Sequence, residues 1–215
     1  MKLCMIGTGY VGLVSGTCFA DIGNQVYCVD KDLDKIKKLN SGISPIYEPG
    51  LDELIKKNFN AKRLIFTTNL KKAINASDII FICVGTPNKK GTLKVDLSFV
   101  YKCVKEILSY TKNKKIIVTK STVPVGTGDE IEKILKKKKK LFSIISNPEF
   151  LREGEAIRDF RYPDRIVIGS NNNSEFNIMK KLYSPLISKG AKFFTTSRRG
   201  AELIKYAANA FLATK

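Results

Sequence analysis

Short apolar runs alternate with amphipathic stretches along almost the whole chain. The runs are rich in β-branched residues and read LCMI, QVYCVD, RLIFTT, DIIFICV, KIIVTKS, FSIIS, RIVIG and AKFFTT. Such runs are typical of strands buried on both faces of a parallel sheet. Apolar residues at helical spacing predict the intervening helices, which are expected from about Tyr10, Asp32, Lys71 and Asp96, from Gly128 to Lys138, after Ser174 and from Ser197.

This β-α-β order predicts an α/β fold of the Rossmann type, an open doubly wound and mostly parallel sheet with helices on both faces. The last predicted helix runs to the final residue, and Ser197 is suited to cap it. Its apolar positions recur at helical spacing and predict a surface that packs against a partner. They are Ile204, Ala207, Ala208, Phe211 and Leu212.

Composition limits the class of protein. The 215 residues are 43% hydrophobic, which is enough for a buried core. No apolar stretch approaches the roughly 20 residues that span a bilayer, and MKLCMIG runs straight into a strand, so we expect a cytoplasmic protein without a membrane partner. The five cysteines lie singly in apolar runs and the chain has no histidine, which argues against a metal site and predicts buried free thiols.

The net charge of +18 is compatible with nucleic acid, with anionic small molecules or with plain compositional bias. The lysines cluster at helix ends and turns, and no ladder of aromatic and basic residues accompanies them. We therefore do not expect nucleic acid as a partner, although a basic nucleic-acid-binding protein remains the alternative from a different class.

The stretch IGTGYVG places Gly7, Gly9 and Gly12 directly after a predicted strand, in the spacing of a dinucleotide-binding turn. Asp30 ends the second strand, where a carboxylate can accept hydrogen bonds from the adenosine ribose. A carboxylate there would repel the 2′-phosphate of NADP, so NAD is the predicted cofactor. The neighbouring Lys31 and Lys35 leave NADP as the alternative, and Lys35 could instead contact a cofactor phosphate.

Two further turns follow predicted strands at the edge where doubly wound folds bind ligands. Thr86 and Pro87 follow the fourth strand, and Thr122 follows the fifth, although either turn could be ordinary turn chemistry. The charged stretch NPEFLREGEAIRDFRYPD follows the sixth strand. One helical turn would place Glu149 and Glu153 on one face, where nearby arginines could also pair with them structurally.

These motifs resemble the UDP-glucose 6-dehydrogenase group of nucleotide-sugar dehydrogenases. The resemblance rests on GTGYVGL, VGTP, STVPVGT, NPEFLREG, PDRIVIG and AELIKYAANAFLATK, which occur in the group's order from residue 7 to the last residue. It implies NAD-dependent oxidation of UDP-glucose to UDP-glucuronate by two hydride transfers through a cysteine thioester, in an enzyme expected to be a homodimer.

Carried onto this sequence, the resemblance implies a set of cofactor contacts, which are Gly7, Gly9, Tyr10, Val11, Gly12, Asp30, Lys35, Thr86, Pro87, Thr122 and Glu153. It also implies a set of substrate contacts, which are Glu149, Phe150, Leu151, Arg152, Glu153, Lys205 and Asn209. The implied catalytic residues are Thr122, Glu149, Lys205 and Asn209. Glu149 would be the base for thioester hydrolysis, and Lys205 would stabilise oxyanion character at C6.

The sequence departs from the group in one respect. The nucleophilic cysteine of the group lies in a G-x-C-x-P-K-D-like motif, and none of the five cysteines here has that context. We therefore expect a cofactor-binding domain at 1–196 and the beginning of a long linking helix at 197–215, without the nucleophile. A dehydrogenase of GDP-mannose or of a UDP-N-acetylhexosamine, or the NAD module of a 3-hydroxyacid-type dehydrogenase, is the alternative, although RYPDRIVIG favours UDP-glucose.

Overall fold

The computed structural model describes residues 1–92 and 94–215, and in that part eight strands form one sheet in the order β3-β2-β1-β4-β5-β6-β7-β8. The strands are β1 (Lys2–Ile6), β2 (Gln25–Val29), β3 (Leu64–Thr67), β4 (Ile79–Ile82), β5 (Lys115–Thr119), β6 (Phe142–Ser146), β7 (Arg165–Gly169) and β8 (Lys192–Thr196). Neighbouring strands pair in parallel, except that β7 is antiparallel to β6. The prediction of an open, mostly parallel sheet is confirmed.

The helices connect the strands on both faces of this sheet. They are α1 (Tyr10–Asp21), α2 (Leu33–Asn40), α3 (Leu51–Asn60), α4 (Leu70–Ala76), α5 (Ser98–Tyr110), α6 (Thr127–Ile134), α7 (Ala156–Arg161), α8 (Asn173–Leu182), α9 (Ser184–Ile187) and α10 (Arg198–Thr214). The sequence did not predict α3, α7 or α9. The helix expected up to Lys138 ends at Ile134 and gives way to a 3-10 turn, because consecutive lysines repel one another at helical spacing.

Two apolar clusters cover the two faces of the sheet. Alternate residues of β1 divide between them, since Leu3 and Met5 pack with α1, while Cys4 and Ile6 pack against the α4 and α5 side. Runs such as LCMI are continuously apolar for this reason. All five cysteines are free and buried, as the sequence predicted.

Helix α10 crosses the sheet toward the ligand edge. Because β7 is antiparallel to β6 and β8 is parallel to β7, the chain leaves β8 at the edge opposite the carboxyl ends of β1 to β6. Ser197 caps α10 by accepting a hydrogen bond from the Gly200 N–H at 3.1 Å. A Cβ at Gly169 would lie 2.6 Å from the Ala201 Cβ, so glycine in β7 lets α10 lie directly on the sheet. At about 1.5 Å per residue, Lys205 is therefore carried back toward the ligand edge.

The predicted apolar face of α10 is largely uncovered. The residues of α10 that are buried on the sheet are Arg198, Ala201, Glu202 and Lys205. Phe211 and Leu212 are 70% and 72% exposed. What packs on this face, and the division of the chain at residue 196, stay predictions.

Candidate functional site

The turn between β1 and α1 has the shape that a dinucleotide pyrophosphate requires. Gly7 has a φ of 99°, and a Cβ at Gly12 would lie 1.9 Å from the Gly7 carbonyl oxygen, so both positions exclude side chains. A Cβ at Gly9 would meet no described atom within 4 Å, which leaves open space over the turn. No side chain in the described ranges caps α1. Its first N–H groups are therefore free to bind an anion, and the turn fits NAD.

Asp30 lies at the carboxyl end of β2 within hydrogen-bond reach of that turn. Its Oδ2 accepts hydrogen bonds from the Thr8 N–H at 3.0 Å and the Thr8 hydroxyl at 2.8 Å, and its Oδ1 accepts one from the Asp32 N–H at 3.1 Å. Burial would raise the pKa of Asp30, but these bonds and one from Lys35 outweigh it and lower the pKa to about 2. The carboxylate is therefore ionised at neutral pH.

Lys35 differs from one of its expected placements. Its Nζ lies 3.1 Å from Asp30 Oδ2, so Lys35 is paired with the carboxylate that is expected to bind the ribose. Its ammonium group does not point freely toward a cofactor phosphate. The pairing is local, because Lys35 is in the first turn of α2 and Asp30 lies only three residues before the start of that helix. This ion pair weakens the electrostatic argument against NADP that rests on Asp30 alone.

The loops after β4 and β5 are joined at the same edge of the sheet. The Thr86 hydroxyl donates to the Thr122 carbonyl at 2.9 Å, and the Ser121 hydroxyl donates to the Val84 carbonyl at 2.6 Å. Pro87 follows Thr86 and is exposed. The two predicted threonines are thus brought together, at positions between the glycine turn and the loop after β6.

Glu149 and Lys205 form an ion pair at the same edge. Lys205 Nζ lies 3.0 Å from Glu149 Oε1, and both side chains are only 10% exposed. The other carboxylate oxygen of Glu149 accepts a hydrogen bond from the Leu151 N–H at 2.6 Å. Lys205 is therefore buried and paired with a carboxylate, unlike a solvated surface lysine.

A cavity of about 510 Å³ opens over this ion pair. Its walls come from the loop after β6, the segment before β7 and helix α10, and the predicted residues that line it are Glu149, Phe150, Leu151, Arg152, Lys205 and Asn209. The Arg165 guanidinium lies 4.3 Å from the centre of the Phe150 ring at one wall. The cavity lining thus combines cationic, aromatic and amide groups with the carboxylates of Glu149, Asp159 and Asp164, and its cationic and hydrogen-bonding groups suit a phosphorylated sugar.

The loop after β6 departs from the expected helical turn. Residues 147–152 form a loop without regular secondary structure. In it Glu149 is partly buried in the cavity wall, while Glu153, the next residue after 152, is exposed and is not among the residues that line the cavity. Arg152 pairs with Asp159 at 2.7 Å and Glu155 at 2.6 Å, and not with Glu149. The expected common face of Glu149 and Glu153 is wrong, because hydrogen bonds to distant residues determine the shape of this loop.

Two buried charged residues near the site escaped the sequence analysis. Lys120 follows β5 and lines the cavity with 4% exposure, and its Nζ has no hydrogen-bond partner among the residues that the structure describes. Burial lowers the pKa of Lys120, although Cys83 and Glu149 act in the opposite direction. Glu48 is 6% exposed and binds α1 to the loop after β6. Lys120 could have been identified from the sequence, because it is a charged residue directly after an apolar strand.

Residues 1–187 match the model of the NAD-binding domain of the UDP-glucose/GDP-mannose dehydrogenase family. The chain belongs to this family. The cofactor of the domain is accordingly NAD, which confirms the prediction from the glycine turn. Membership of this family also decides against the NAD module of a 3-hydroxyacid-type dehydrogenase.

Individual relatives agree with this membership. The UDP-glucose 6-dehydrogenase of Rhizobium meliloti (strain 1021) is 52% identical over 219 residues, which cover 100% of this chain and 50% of the relative. A solved GDP-mannose dehydrogenase from Pseudomonas aeruginosa has a TM-score of 0.94 at 34% identity, covering 100% of this chain and 50% of that one. A UDP-glucose dehydrogenase from Pyrobaculum islandicum has a TM-score of 0.92 at 36% identity, covering 98% and 49%.

The chain spans about half the length of the curated relatives that it matches. Across residues 1–92 and 94–215, no helix has both the length and the apolar character that crossing a membrane requires.

Proposed function

We propose that this chain supplies the NAD site and part of the sugar-nucleotide site for oxidation of UDP-glucose to UDP-glucuronate. The observation that carries the proposal is the buried Glu149–Lys205 pair, which lies in a cavity at the same sheet edge as the glycine turn. The curated relatives named UDP-glucose 6-dehydrogenase, at 52% identity, support UDP-glucose as the substrate.

On the cofactor side, the residues have separate tasks. The free N–H groups of Tyr10, Val11 and Gly12 at the start of α1 bind the pyrophosphate, and Gly9 keeps the approach open. Asp30 accepts hydrogen bonds from the adenosine ribose. NAD, when bound, accepts the hydride that leaves C6 of the sugar.

The nicotinamide half extends past the loops after β4 and β5, since these strands follow β1 in the sheet order. Thr86, Pro87 and Thr122 border it there, and Glu153 approaches from the loop after β6. The hydroxyls of Thr86 and Thr122 and the carboxylate of Glu153 offer hydrogen bonds to the nicotinamide ribose, and the Pro87 ring helps to exclude water from the reacting face.

On the substrate side, the Lys205 ammonium stabilises negative charge on the oxygen at C6 as the alcohol and later intermediates react. Glu149, whose Oε1 lies 3.0 Å from Lys205 Nζ, takes a proton from the water that hydrolyses the thioester. Asn209 lies one turn further along α10 and donates an amide hydrogen bond in the same cavity. Phe150, Leu151 and Arg152 form the wall that orients the sugar nucleotide.

The thiol for the thioester comes, in this proposal, from outside the present sequence. All five cysteines here are buried, and burial raises the pKa of Cys83, which follows β4, to about 12. A thiol of this kind is almost entirely protonated at neutral pH and is a poor nucleophile. We also propose, from the family resemblance alone, that the complete enzyme is a cytoplasmic homodimer.

Calorimetry on the NAD-saturated chain tests the substrate. UDP-glucose should bind more tightly than GDP-mannose, and Asn209→Ala should weaken UDP-glucose severalfold, because the exposed amide lines the cavity. Asn171→Ala is the matched control, since this exposed asparagine follows β7 at the opposite sheet edge. If GDP-mannose bound more tightly, the proposed substrate would be wrong, and GDP-mannose, the sugar nucleotide in the name of the Pseudomonas relative, would take its place. Equal effects of both substitutions would contradict the placement of the site.

A further inference from the structure

Glu48 is a buried carboxylate that bridges two parts of the cofactor site. It lies between α2 and α3 and is 6% exposed. Its Oε2 accepts hydrogen bonds from the Tyr10 hydroxyl and from the Gly154 N–H, the latter at 2.9 Å. Its Oε1 accepts one from the Ile157 N–H at 3.1 Å. The Gly154 N–H also reaches the Tyr10 oxygen at 2.7 Å, which closes the bridge.

The bridge is made of hydrogen bonds and not of an ion pair. No lysine or arginine in the described residues lies within salt-bridge distance of Glu48. A buried carboxylate without a cation needs its donors, so displacing either the loop or the tyrosine would leave a costly unpaired charge. Burial, followed by the hydrogen bond to Glu48, raises the pKa of Tyr10 to about 12, so its hydroxyl remains a donor at neutral pH. The bridge is therefore both directional and hard to break.

Each end of the bridge belongs to a different segment of the site. Tyr10 is the first residue of α1, whose N-terminus receives the pyrophosphate. Gly154 directly follows Glu153 and has a φ of 86°, a left-handed conformation that favours glycine. Because Glu48 holds the Gly154 N–H, it fixes the backbone next to Glu153 relative to the start of α1.

The sheet order identifies the half of the cofactor that this arrangement serves. Asp30 ends β2 on one side of β1, whereas the loop that contains Glu153 follows β6 on the other side. The adenosine half lies at Asp30, so the loop after β6 faces the half of NAD that extends in the opposite direction, toward the nicotinamide.

We propose that Glu48 is a positioning residue for the nicotinamide half of NAD, acting by holding Glu153 and its loop against α1. This inference rests on the proposed NAD site, and Glu48 itself does not touch the cofactor. Neutralising Glu48 should therefore release the loop after β6 while the adenosine and pyrophosphate contacts remain in place.

Calorimetry with two ligands tests this role. In the chain with Glu48→Gln, NAD should bind about tenfold more weakly, because binding must then order the released loop after β6. ADP has the adenosine and the diphosphate but no nicotinamide riboside, so its affinity should be unchanged. Glu53→Gln is the matched control, because this exposed carboxylate in α3 has no part in the bridge, and it should change neither affinity.

The possible outcomes distinguish a failure of the role proposed for Glu48 from a failure of the proposed NAD site. Equal weakening of NAD and ADP would mean that Glu48 supports the fold generally, and no weakening of either would mean that it positions nothing; both results overturn the inference. If the wild-type chain binds NAD no better than ADP, the proposed function of the nicotinamide side fails instead. If circular dichroism shows that Glu48→Gln does not fold, Tyr10→Phe can be used instead, because it removes one hydrogen-bond donor of the bridge. It should likewise weaken NAD while leaving the affinity for ADP unchanged.

Discussion

Alanine substitutions at two glycines of the same turn should have different effects. Gly12→Ala should lower the stability of the fold, and Gly9→Ala should weaken the binding of NAD. At Gly12 the new Cβ would lie 1.9 Å from the Gly7 carbonyl oxygen, a backbone atom that cannot move without displacing β1 from α1. At Gly9 the new Cβ would meet no described atom within 4 Å, and the backbone there is extended, with φ −72° and ψ −171°. Alanine therefore fits the free protein at Gly9 but not at Gly12.

The magnitude follows from these contacts. Overpacking costs about 1–3 kcal/mol and sometimes more, and a rigid backbone contact belongs at the upper end. The gain from replacing a helical glycine by alanine, about 0.5–1 kcal/mol, offsets part of it. A net loss of roughly 2 kcal/mol lowers the melting temperature of a domain of this size by about 4–8 °C. Gly9→Ala should leave the melting temperature nearly unchanged, yet it places a methyl group where the pyrophosphate approaches.

Scanning calorimetry and titration with NAD, on both variants, measure the two effects. We expect Gly12→Ala to melt lower, and Gly9→Ala to melt like the wild type while losing most of its NAD affinity. A Gly12→Ala chain as stable as the wild type would contradict the close contact. Undiminished NAD affinity in Gly9→Ala would refute the placement of the pyrophosphate.

Three further predictions follow from the site. Asp30→Ala should weaken NAD by roughly tenfold to a hundredfold, since ribose hydrogen bonds to a charged acceptor are lost; equal affinities in titration calorimetry would contradict the ribose contact. The pKa of Asp30 is lowered from 3.8 to about 2, so its ionised form stabilises the fold above pH 3.8, and that contribution disappears as the pH falls through about 2. The unfolding free energies of wild type and Asp30→Asn, measured by denaturant titration, should therefore converge over that interval, and a constant difference would argue against it. Finally, the chain should not produce NADH steadily from UDP-glucose and NAD, because its cysteines are buried and protonated; sustained absorbance growth at the NADH band would overturn this.

The sheet and the glycine turn were predictable because both depend on residues that are close together in the sequence. Buried parallel strands are continuously apolar, and the turn between β1 and α1 needs glycine at fixed spacing, so neighbouring residues alone identify them. Ser197 was predictable as a cap for the same reason, since its partner Gly200 lies three residues away.

What the sequence left open depends on contacts between distant residues. Glu149 and Lys205 meet across 56 positions, and Glu48 reaches Gly154 across 106, so no local spacing shows either contact. Helix α7 is six residues long, too short for a clear period, and its start is bound by the Glu48 carboxylate. The antiparallel direction of β7 also has no local signal, because a strand looks alike in either direction. The resemblance to a family, and not spacing, was what pointed to Glu149 and Lys205.

A crystal structure of the chain with NAD and UDP-glucose tests the central claim most directly. We expect the pyrophosphate on the N–H groups of Tyr10 and Val11, the adenosine ribose at Asp30, and the glucose C6 hydroxyl within hydrogen-bond distance of Lys205 Nζ. A sugar nucleotide bound away from the Glu149–Lys205 pair, or a cofactor whose nicotinamide points away from that cavity, would contradict it.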